Sequence, residues 1–483
     1  MKIRSVKYNF IMNVILTAST FIFPLITFPY VSRILLPAGV GKVNFATSFV
    51  SYFSMIAMLG VPTYGIRACA QVRDNREELS RTVHEIFFIN LIVGALASVI
   101  YFAALFTVPR LRADSALFAV MSSTILFNVI GMEWLYKGLE QYSYITVRSI
   151  IFKAIGLILM FLLVKDQGDY VIYGAISIVA GVGSNLLNFL KLPEIIDLHP
   201  VGHYNLRRHW KVIMVFFMMS VATTIYTNLD TVMLGFMKND TEVGYYTASV
   251  KVKIILVSFV TALSTVLLPR VSYYIEQGMQ DKFREVSRKA LNFVAVVAVP
   301  VVVYFTLYAK ESILLLSGSE FMGSVQPMQI IMPTVLFIGI TNVLGIQILV
   351  PLGKEMEVCI SVIVGAVVDL LINMVCIPSM ASSGAALGTV IAEFAVLVVQ
   401  CVMLRDQIRM LTGNIQWIKI LIAVSAAAVL CSSVKWLQMG VFVTLGISWI
   451  IFALVYGILL LVMRENFVWS IVEEIWKKIV WKR

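Results

Sequence analysis

Fourteen long runs of apolar residues follow one another along the chain, each with roughly the 17–25 residues that a membrane-spanning helix needs. Of the 483 residues, 60% are hydrophobic and only 13% are charged, whereas a soluble domain has about 25% charged residues. The runs are continuous rather than alternating, which predicts helices and not the strands of a barrel. They lie near 11–33, 42–62, 83–108, 115–136, 144–164, 170–190, 209–236, 243–268, 290–309, 325–350, 357–378, 384–404, 416–433 and 438–463. The sequence therefore predicts an all-α polytopic membrane protein with about 14 transmembrane helices.

Basic residues are distributed unevenly between the segments that join the runs. Of the 38 Lys and Arg residues, 27 fall in the two termini and in alternate connections, 8 fall on the opposite side and three lie within runs. Because cytoplasmic loops carry the excess of Lys and Arg, we expect both termini in the cytoplasm. The net charge of +11 is then a signal of topology and does not indicate a nucleic-acid partner.

Segments of the first half are echoed in the second half, in the same order and at nearly one spacing. The matched pairs are 38–48 with 241–249, 79–90 with 286–296, and 173–181 with 383–392. This pattern predicts two parallel six-helix lobes related by a pseudo-two-fold axis along the membrane normal, the architecture of an alternating-access carrier. The first run, interrupted by Pro24 and Pro29, is either a bending element of this carrier or a fixed kink.

The predicted division of the chain follows from these runs. It comprises an N-lobe of helices 1–6 at 1–190, a cytoplasmic linker at 191–208, a C-lobe of helices 7–12 at 209–404, helices 13 and 14 at 405–463, and a tail at 464–483. In the tail, apolar residues recur every fourth position while Lys and Glu fill the other face. This pattern predicts an amphipathic cytoplasmic helix on the inner leaflet, with binding of a partner as the alternative.

Motifs for metal or nucleotide chemistry are not found. The five cysteines include no C-x-x-C pair, the four histidines form no H-E-x-x-H motif, and no G-x-x-x-x-G-K-[ST] sequence occurs. The loops reach only about twenty residues, which is too short for a catalytic domain. We therefore predict a protein that is not an enzyme and has no cofactor, except that H⁺ or Na⁺ could serve as a coupling ion.

Three carboxylates lie far from the ends of their apolar runs or deep in one, at Asp230, Asp369 and Glu393. An ionised carboxylate in hydrocarbon costs roughly 2.5–3.5 kcal/mol even on lenient insertion scales, so such residues pair, face a cavity or bind an ion. Asp369 and Glu393 fall near mid-depth on side chains too short to reach the interface. All three are candidates for ion coupling, and a buried structural pair is the alternative for each.

Lysines within the runs are candidates for a substrate cavity. Lys251 and Lys253 point in different directions, because two residues on a helix are about 200° apart. A polar stripe favours Lys251 and consists of Thr247, Lys251, Ser258 and Thr265. Lys153 is a further candidate, with a snorkelling side chain as the alternative.

Several motifs together resemble a known family. They are "FPYVSRILLPAGVGKVNFATS", "GVPTYGIRACAQVRDN", "GMEWLYKGLEQYSYITVRSIIFK", "IYTNLDTVMLGF", "EVGYYTA", "LLPRVS", "NVLGIQILVPLGKE" and "GAALGTVIAE". In this order, over about 20–400, they resemble the Wzx-type polysaccharide flippases of the multidrug/oligosaccharidyl-lipid/polysaccharide exporter superfamily. One departure is "GIRACAQ", in which no acidic residue follows "GIR" as it does in relatives.

The resemblance implies a bacterial inner-membrane carrier for undecaprenyl-diphosphate-linked oligosaccharide repeat units of O-antigen or capsule. The cargo would move from the cytoplasmic to the outer leaflet. Related lipid II flippases use a cavity arginine near the position of Arg33, so Arg33 joins Lys153 and Lys251 as a candidate cation for the diphosphate. A polysaccharide polymerase and a chain-length regulator are expected partners. The alternatives are a drug/cation antiporter of the same superfamily and a membrane-embedded glycosyltransferase or polymerase.

The charge asymmetry predicts the outcome of a topology experiment. Reporter fusions after Lys238 and Lys310 should read external, and fusions after Arg76 and Arg284 should read cytoplasmic. Paired alkaline phosphatase and green fluorescent protein reporters measure both sides. A cytoplasmic reading after Lys310 would contradict both the helix count and the two-lobe repeat.

Overall fold

The computed structural model describes residues 6–412, 415–437, 439–470 and 472–473, and side chains within those ranges except at 6, 7, 263–266, 269, 408–410 and 412. The described residues form helices and connecting turns, with no strand among them. The predicted all-α class is therefore confirmed. The predicted amphipathic helix at 464–483 lies largely outside the described residues.

The chain divides into two compact units, 1–244 and 245–483. The lobes, linker and appended helices predicted from the sequence end at other residues than these two units. The prediction divided the chain by its apolar runs, whereas the units are defined by contacts between residues. Those predicted boundaries stay a prediction, and each unit is described here by itself.

The first unit contains ten α-helices, which the short 3₁₀ segments Gln167–Asp169 and Leu192–Glu194 and the π segment Val179–Gly183 supplement. The α-helices are α1 (Val6–Met58), α2 (Val61–Val72), α3 (Arg76–Thr107), α4 (Pro109–Arg112), α5 (Ser115–Gly131), α6 (Glu133–Gly138), α7 (Tyr142–Leu163), α8 (Tyr170–Ile178), α9 (Asn185–Lys191) and α10 (Arg207–Met237).

The second unit begins inside α11 and also holds the 3₁₀ segments Ser319–Ser324 and Ser433–Leu437 and the π segment Asn342–Leu349. Its α-helices are α11 (Asp240–Glu276), α12 (Gln280–Leu307), α13 (Ala309–Ser317), α14 (Val325–Ile331), α15 (Thr334–Thr341), α16 (Glu355–Met403), α17 (Arg405–Thr412), α18 (Trp417–Ser432) and α19 (Val441–Val462).

Ten helical stretches of the described chain are long and apolar enough to cross a membrane, or twelve if each of two bent helix pairs is one span. Two of the ten contain a break in the helical backbone, at Leu36 and at Ala381. Each break falls between two apolar runs that the sequence predicts as separate spans. The protein is therefore a multi-pass membrane protein, and the number fourteen stays a prediction.

The break in α1 has a local cause. Leu36 has φ 57° and ψ 177°, and Pro37 follows it. A proline disfavours the helical conformation at the preceding residue, and here the chain leaves the helix one position before the ring. The backbone keeps helical torsion angles at Pro24 and Pro29, where the sequence allowed either a bending element or a fixed kink.

Helix α16 folds back on itself at Ala381, where φ is 49° and ψ is −125°. Gln400 Nε2 donates to Ser361 Oγ at 3.1 Å across the two arms. A Cβ on Gly388 would lie 2.2 Å from Asn373 Oδ1, so glycine allows the arms to approach there. The arms therefore form an antiparallel helical hairpin with polar residues on its inner faces.

Buried tyrosines join α12 to α18 and α19 in the core of the second unit. Tyr304 Oη donates to Leu445 O at 2.9 Å, Tyr308 Oη to Cys431 O at 2.6 Å and Tyr456 Oη to Val296 O at 2.8 Å. A buried phenol needs such a partner because water cannot reach it. These bonds explain how three apolar helices acquire a fixed packing.

Charged residues cluster where α1, α4, α5 and α11 meet in the first unit. Lys42 Nζ lies 2.6 Å from Asp114 Oδ1, and Arg110 forms an ion pair with Asp240. Arg110 Nε also donates to Gly235 O at 2.9 Å. This cluster ties the start of α11 to the preceding helices of the unit.

In the same region α1 and the start of α11 approach each other very closely. A Cβ on Gly41 would lie 1.7 Å from Asp240 O, and a Cβ on Gly244 would lie 2.0 Å from Pro37 O. Backbone therefore packs on backbone, and neither position has room for a side chain. Both glycines belong to segments that the sequence repeat matches with each other.

This contact predicts that Gly244→Ala lowers stability. The added methyl meets backbone that must shift, and such overpacking costs about 1–3 kcal/mol. Thermal unfolding in detergent measures the effect. The matched control is Gly457→Ala in α19, where no heavy atom lies within 4 Å of the added Cβ. Equal melting temperatures for the two variants would contradict the close approach.

Candidate functional site

A cavity of about 530 Å³ lies within the first unit, between helices predicted to cross the membrane. Eight of its fifteen described lining residues have hydroxyl or amide side chains. They are Ser51, Ser54, Thr124, Asn128, Asn185, Ser220, Thr224 and Asn228. A polar cavity among apolar spans is the expected location of a substrate pathway.

Helical spacing places these side chains on one face of each contributing helix. On α10, Ser220, Thr224 and Asn228 are four residues apart, and on α5, Thr124 and Asn128 have the same spacing. Residues four apart lie on the same side of a helix. The two helices therefore present polar stripes to the cavity.

The charged residues of the wall compensate each other. Glu133 Oε1 lies 2.7 Å from Lys137 Nζ, and Glu133 Oε2 lies 3.2 Å from Arg148 Nη2. Glu133 and Lys137 line the cavity, whereas Arg148 stands behind them with only 3% of its side chain exposed. The described lining residues carry one formal charge of each sign, and together with Arg148 the cluster has a formal net charge of +1.

Arg148 also positions a neutral residue of the wall. Its Nη1 donates to Ser184 Oγ at 2.7 Å and to Asn185 Oδ1 at 3.1 Å. The Asn185 amide nitrogen in turn donates to Phe127 O at 3.1 Å. Because both ends of its amide are bonded, Asn185 has a fixed orientation in the cavity wall.

Two buried donors in the wall have no hydrogen-bond acceptor among the described residues. They are Ser54 Oγ and Trp134 Nε1, and the exposed fractions of these residues are 8% and 2%. A buried donor left unsatisfied costs about 1–3 kcal/mol.

The three predicted cavity cations do not line this cavity. Arg33 is exposed and donates from Nη1 to Pro29 O at 2.6 Å, and Lys153 Nζ donates to Ser19 Oγ at 2.7 Å. Lys251 is half-buried in the second unit. Of its predicted stripe, Thr265 lies outside the described side chains. Their predicted contact with a diphosphate stays a prediction.

Asp230 is buried, with 7% of its surface exposed, and belongs to the first unit. It follows Asn228 by two residues, which is about 200° on a helix, so the face of α10 that lines the cavity is not the face of Asp230. The proposed role of Asp230 in ion coupling stays a prediction.

The other two predicted carboxylates lie on the hairpin of α16. Asp369 and Glu393 are 2% and 6% exposed. The contacts of Ser361 with Gln400 and of Asn373 with position 388 fix the register of the arms. In that register position 392 is opposite Asp369, so both carboxylates fall at the same level. A Cβ at position 388 would also lie 3.1 Å from Asp369 Oδ1.

No group of three or more His, Cys, Asp or Glu residues that could hold a metal ion occurs in the part of the chain that the structure describes. Buried oxygen atoms are nevertheless present on the hairpin. They belong to Asp369, Asn373, Thr389 and Glu393, and Thr389 Oγ1 is 2.9 Å from Tyr246 Oη.

An all-helical, multi-pass membrane protein with a polar cavity between its spans is the architecture of a transporter. Residues 6–275 match the family described as polysaccharide biosynthesis protein. This match covers more than half of the chain, and the chain belongs to that family.

Two relatives agree with this assignment. A protein of Escherichia coli strain K12 that is named as a candidate O-antigen transporter is 21% identical over 76% of this chain and 89% of its own length. A protein of Shigella dysenteriae with the same name is 23% identical over 76% of this chain and 91% of its own length. The resemblance to Wzx-type flippases is thereby confirmed, and these relatives are named as transporters and not as enzymes.

Solved structures share the fold. The lipid II flippase MurJ in an inward closed conformation superposes with a TM-score of 0.74 at 13% identity, over 95% of this chain and all of that one. A multidrug resistance MATE family transporter in an inward-facing conformation has a TM-score of 0.68 at 13% identity, over 80% and 94% of the two chains. At these identities the likeness concerns the fold alone.

Sequence reasoning missed the neutral side chains of the cavity and the cluster of Glu133, Lys137 and Arg148. A signal for the neutral residues was present in the spacing of Ser220, Thr224 and Asn228. Glu133 lies near the end of the apolar run 115–136, where a side chain can snorkel to the interface and needs no partner. Its partner Arg148 is 15 positions away, and the sequence alone does not indicate their contact.

Because the guanidinium of Arg148 is buried beside Glu133, we expect Glu133→Gln to lower stability. The substitution leaves the Arg148 guanidinium without its carboxylate, and hydrogen bonds to charged groups contribute about 1.5–3 kcal/mol. The control is Glu285→Gln, whose exposed pair with Lys289 should contribute no more than about 1 kcal/mol. Thermal unfolding of both variants in one detergent makes the comparison. Similar melting temperatures would mean that Arg148 does not depend on Glu133.

Proposed function

We propose that this protein is a flippase for lipid-linked oligosaccharides in the bacterial inner membrane. Its cargo is an undecaprenyl-diphosphate-linked repeat unit for surface polysaccharide, and it moves from the cytoplasmic to the outer leaflet by alternating access. The observation that carries the proposal is the cavity between the spans, lined by eight hydroxyl and amide side chains and by one compensated charge pair.

The chemistry of the wall fits a sugar. Sugar rings present many hydroxyl groups that both donate and accept hydrogen bonds, and Ser, Thr and Asn side chains match them in both roles. The names of the two relatives as candidate O-antigen transporters support the same class of cargo.

A drug/cation antiporter of the same superfamily is the alternative. A cavity for organic cations needs a carboxylate whose charge is available to the ligand. Here Glu133 already has two cationic partners, Lys137 and Arg148. The compensated wall therefore favours an uncharged, hydrogen-bonding cargo over a cationic one.

The direction of transport rests on the predicted orientation. In that orientation the ends of α6 and α10 that contain Lys137 and Arg207 face the cytoplasm. The cavity has Lys137 in its wall, which supports entry of cargo from the cytoplasmic leaflet. Arg33, Lys153 and Lys251 remain our candidates for contact with the diphosphate, and a polymerase and a chain-length regulator remain proposed partners.

We further propose that H⁺ or Na⁺ drives the cycle. Asp369 and Glu393 are buried at one level of the α16 hairpin, and Asn373 is buried one helical turn away. Two carboxylates at one depth of an apolar span repel each other when both are ionised, and a bound proton or cation relieves this repulsion. Binding and release of such an ion would couple the hairpin to the transport cycle.

The cargo is tested with the purified full chain in proteoliposomes. Lipid-linked oligosaccharide placed in one leaflet should reach the other leaflet faster than in protein-free vesicles, and Asn228→Leu should lower the rate at least about tenfold because it removes a hydrogen-bonding group from the cavity. An organic cation such as ethidium is the control cargo. Transport of ethidium but not of the lipid-linked oligosaccharide would support the antiporter instead.

Ion coupling is tested in the same vesicles with an imposed pH or Na⁺ gradient. The wild type should respond to one of the two gradients, and Glu393→Gln should lose that response because its amide cannot bind and release a charge. Glu276→Gln, outside the hairpin, provides the comparison. If Glu393→Gln keeps both its rate and its gradient response, Glu393 is structural, and Asp369 and Asp230 are the next residues to substitute.

A further inference from the structure

The charged residues of the cavity wall lie at one end of a membrane span. Along the span Ser115–Gly138 the lining residues follow one another in the order Thr124, Asn128, Glu133 and Lys137. The two ionisable residues therefore come last, at the end of the span that the charge asymmetry predicts to be cytoplasmic. Deeper in the membrane, this side of the wall continues with neutral polar groups.

The cluster at the charged end contains two cations for one carboxylate. Glu133 has one oxygen 2.7 Å from Lys137 Nζ and the other 3.2 Å from Arg148 Nη2. Glu133 and Lys137 compensate each other, and Arg148 adds one positive charge. The two cations differ in access, because 34% of the Lys137 side chain is exposed but only 3% of the Arg148 side chain.

Lys137 can therefore turn toward an anion without leaving a carboxylate uncompensated. An ammonium has three N–H donors, and the contact with Glu133 uses one of them. If that contact opens, Arg148 still compensates Glu133, and the bonds from Arg148 to Ser184 and Asn185 keep the guanidinium in place. Opening a buried ion pair is costly when it leaves one charge alone, and the second cation avoids this cost.

We propose that Lys137 binds the diphosphate of the lipid-linked cargo at the cytoplasmic end of the cavity, where the anion takes the place of Glu133. Glu133 is a positioning residue, which holds the ammonium in the wall of the empty cavity, and Arg148 retains it when cargo binds. The inference rests on the proposed flippase function and specifies how the same site recognises its substrate. It gives the diphosphate a cation that lines the cavity.

The test measures binding of undecaprenyl diphosphate, the carrier without a glycan, to the full chain in detergent by native mass spectrometry. Lys137→Gln should weaken binding at least about tenfold because it removes a charged donor, and Lys137→Arg should restore most of the affinity. Lys211→Gln is the matched control, since Lys211 is exposed at the start of α10 and is absent from the described lining. It should leave the affinity unchanged.

Glu133→Gln distinguishes competition from a structural role. Its amide no longer competes for the ammonium of Lys137, so the affinity for undecaprenyl diphosphate should rise by up to about fivefold, the range for one partly exposed ion pair. The same variant is expected to be less stable, so affinity and melting temperature should change in opposite directions. A fall in both would mean that Glu133 does not compete with the anion.

Two further ligands identify the group that Lys137 recognises, since free phosphates and membrane lipids share its chemistry. Inorganic diphosphate should compete with undecaprenyl diphosphate, whereas phosphatidylglycerol, with a single phosphodiester charge, should compete far less well. Equal competition by phosphatidylglycerol would assign Lys137 to ordinary membrane lipid and overturn the proposal.

The outcomes separate this inference from the function on which it rests. Equal affinities of the wild type and Lys137→Gln would overturn the role of Lys137, even if the wild type moves lipid-linked oligosaccharide in proteoliposomes. Binding that depends on Lys137, without any movement of the cargo, would support the anion site while the proposed flippase function fails.

Discussion

A polar group within the hydrocarbon of a membrane must have a partner or reach water, and the structure depends on this constraint throughout. It makes the described chain helical, because helices satisfy their own backbone. It joins buried Arg148 to Glu133 and to the side chains of Ser184 and Asn185. It also gives the phenols of α12 and α19 carbonyl partners.

Much of this fold could be predicted from the sequence, because a continuous apolar run has one stable form in lipid. The location of the breaks could not be predicted as well. Prolines are visible in a sequence, but Pro24 and Pro29 stay within helical backbone while the chain breaks before Pro37. At Ala381 the break falls among small residues, where the packing of two arms and not a local propensity sets the turn.

The candidate site was harder to predict because charge is the signal that stands out in an apolar sequence. Asp230, Asp369 and Glu393 attract attention through their cost in hydrocarbon. Thr224 and Asn228 have little cost, since a helix accommodates their side chains by bonds to its own carbonyls, as the bond from Asn228 to Thr224 O illustrates. The helix face that they share can be recognised as part of a site only when the positions of the other helices around the cavity are known.

The contact between Gly41 and Gly244 limits how this part of the chain can change. A Cβ on Gly41 would meet Asp240 O, and a Cβ on Gly244 would meet Pro37 O. Most packing defects in a protein can be repaired by a smaller residue at the neighbouring position. Here the atoms that a side chain would meet belong to the backbone, so no substitution elsewhere can make room for one, and the two codons must each keep glycine independently.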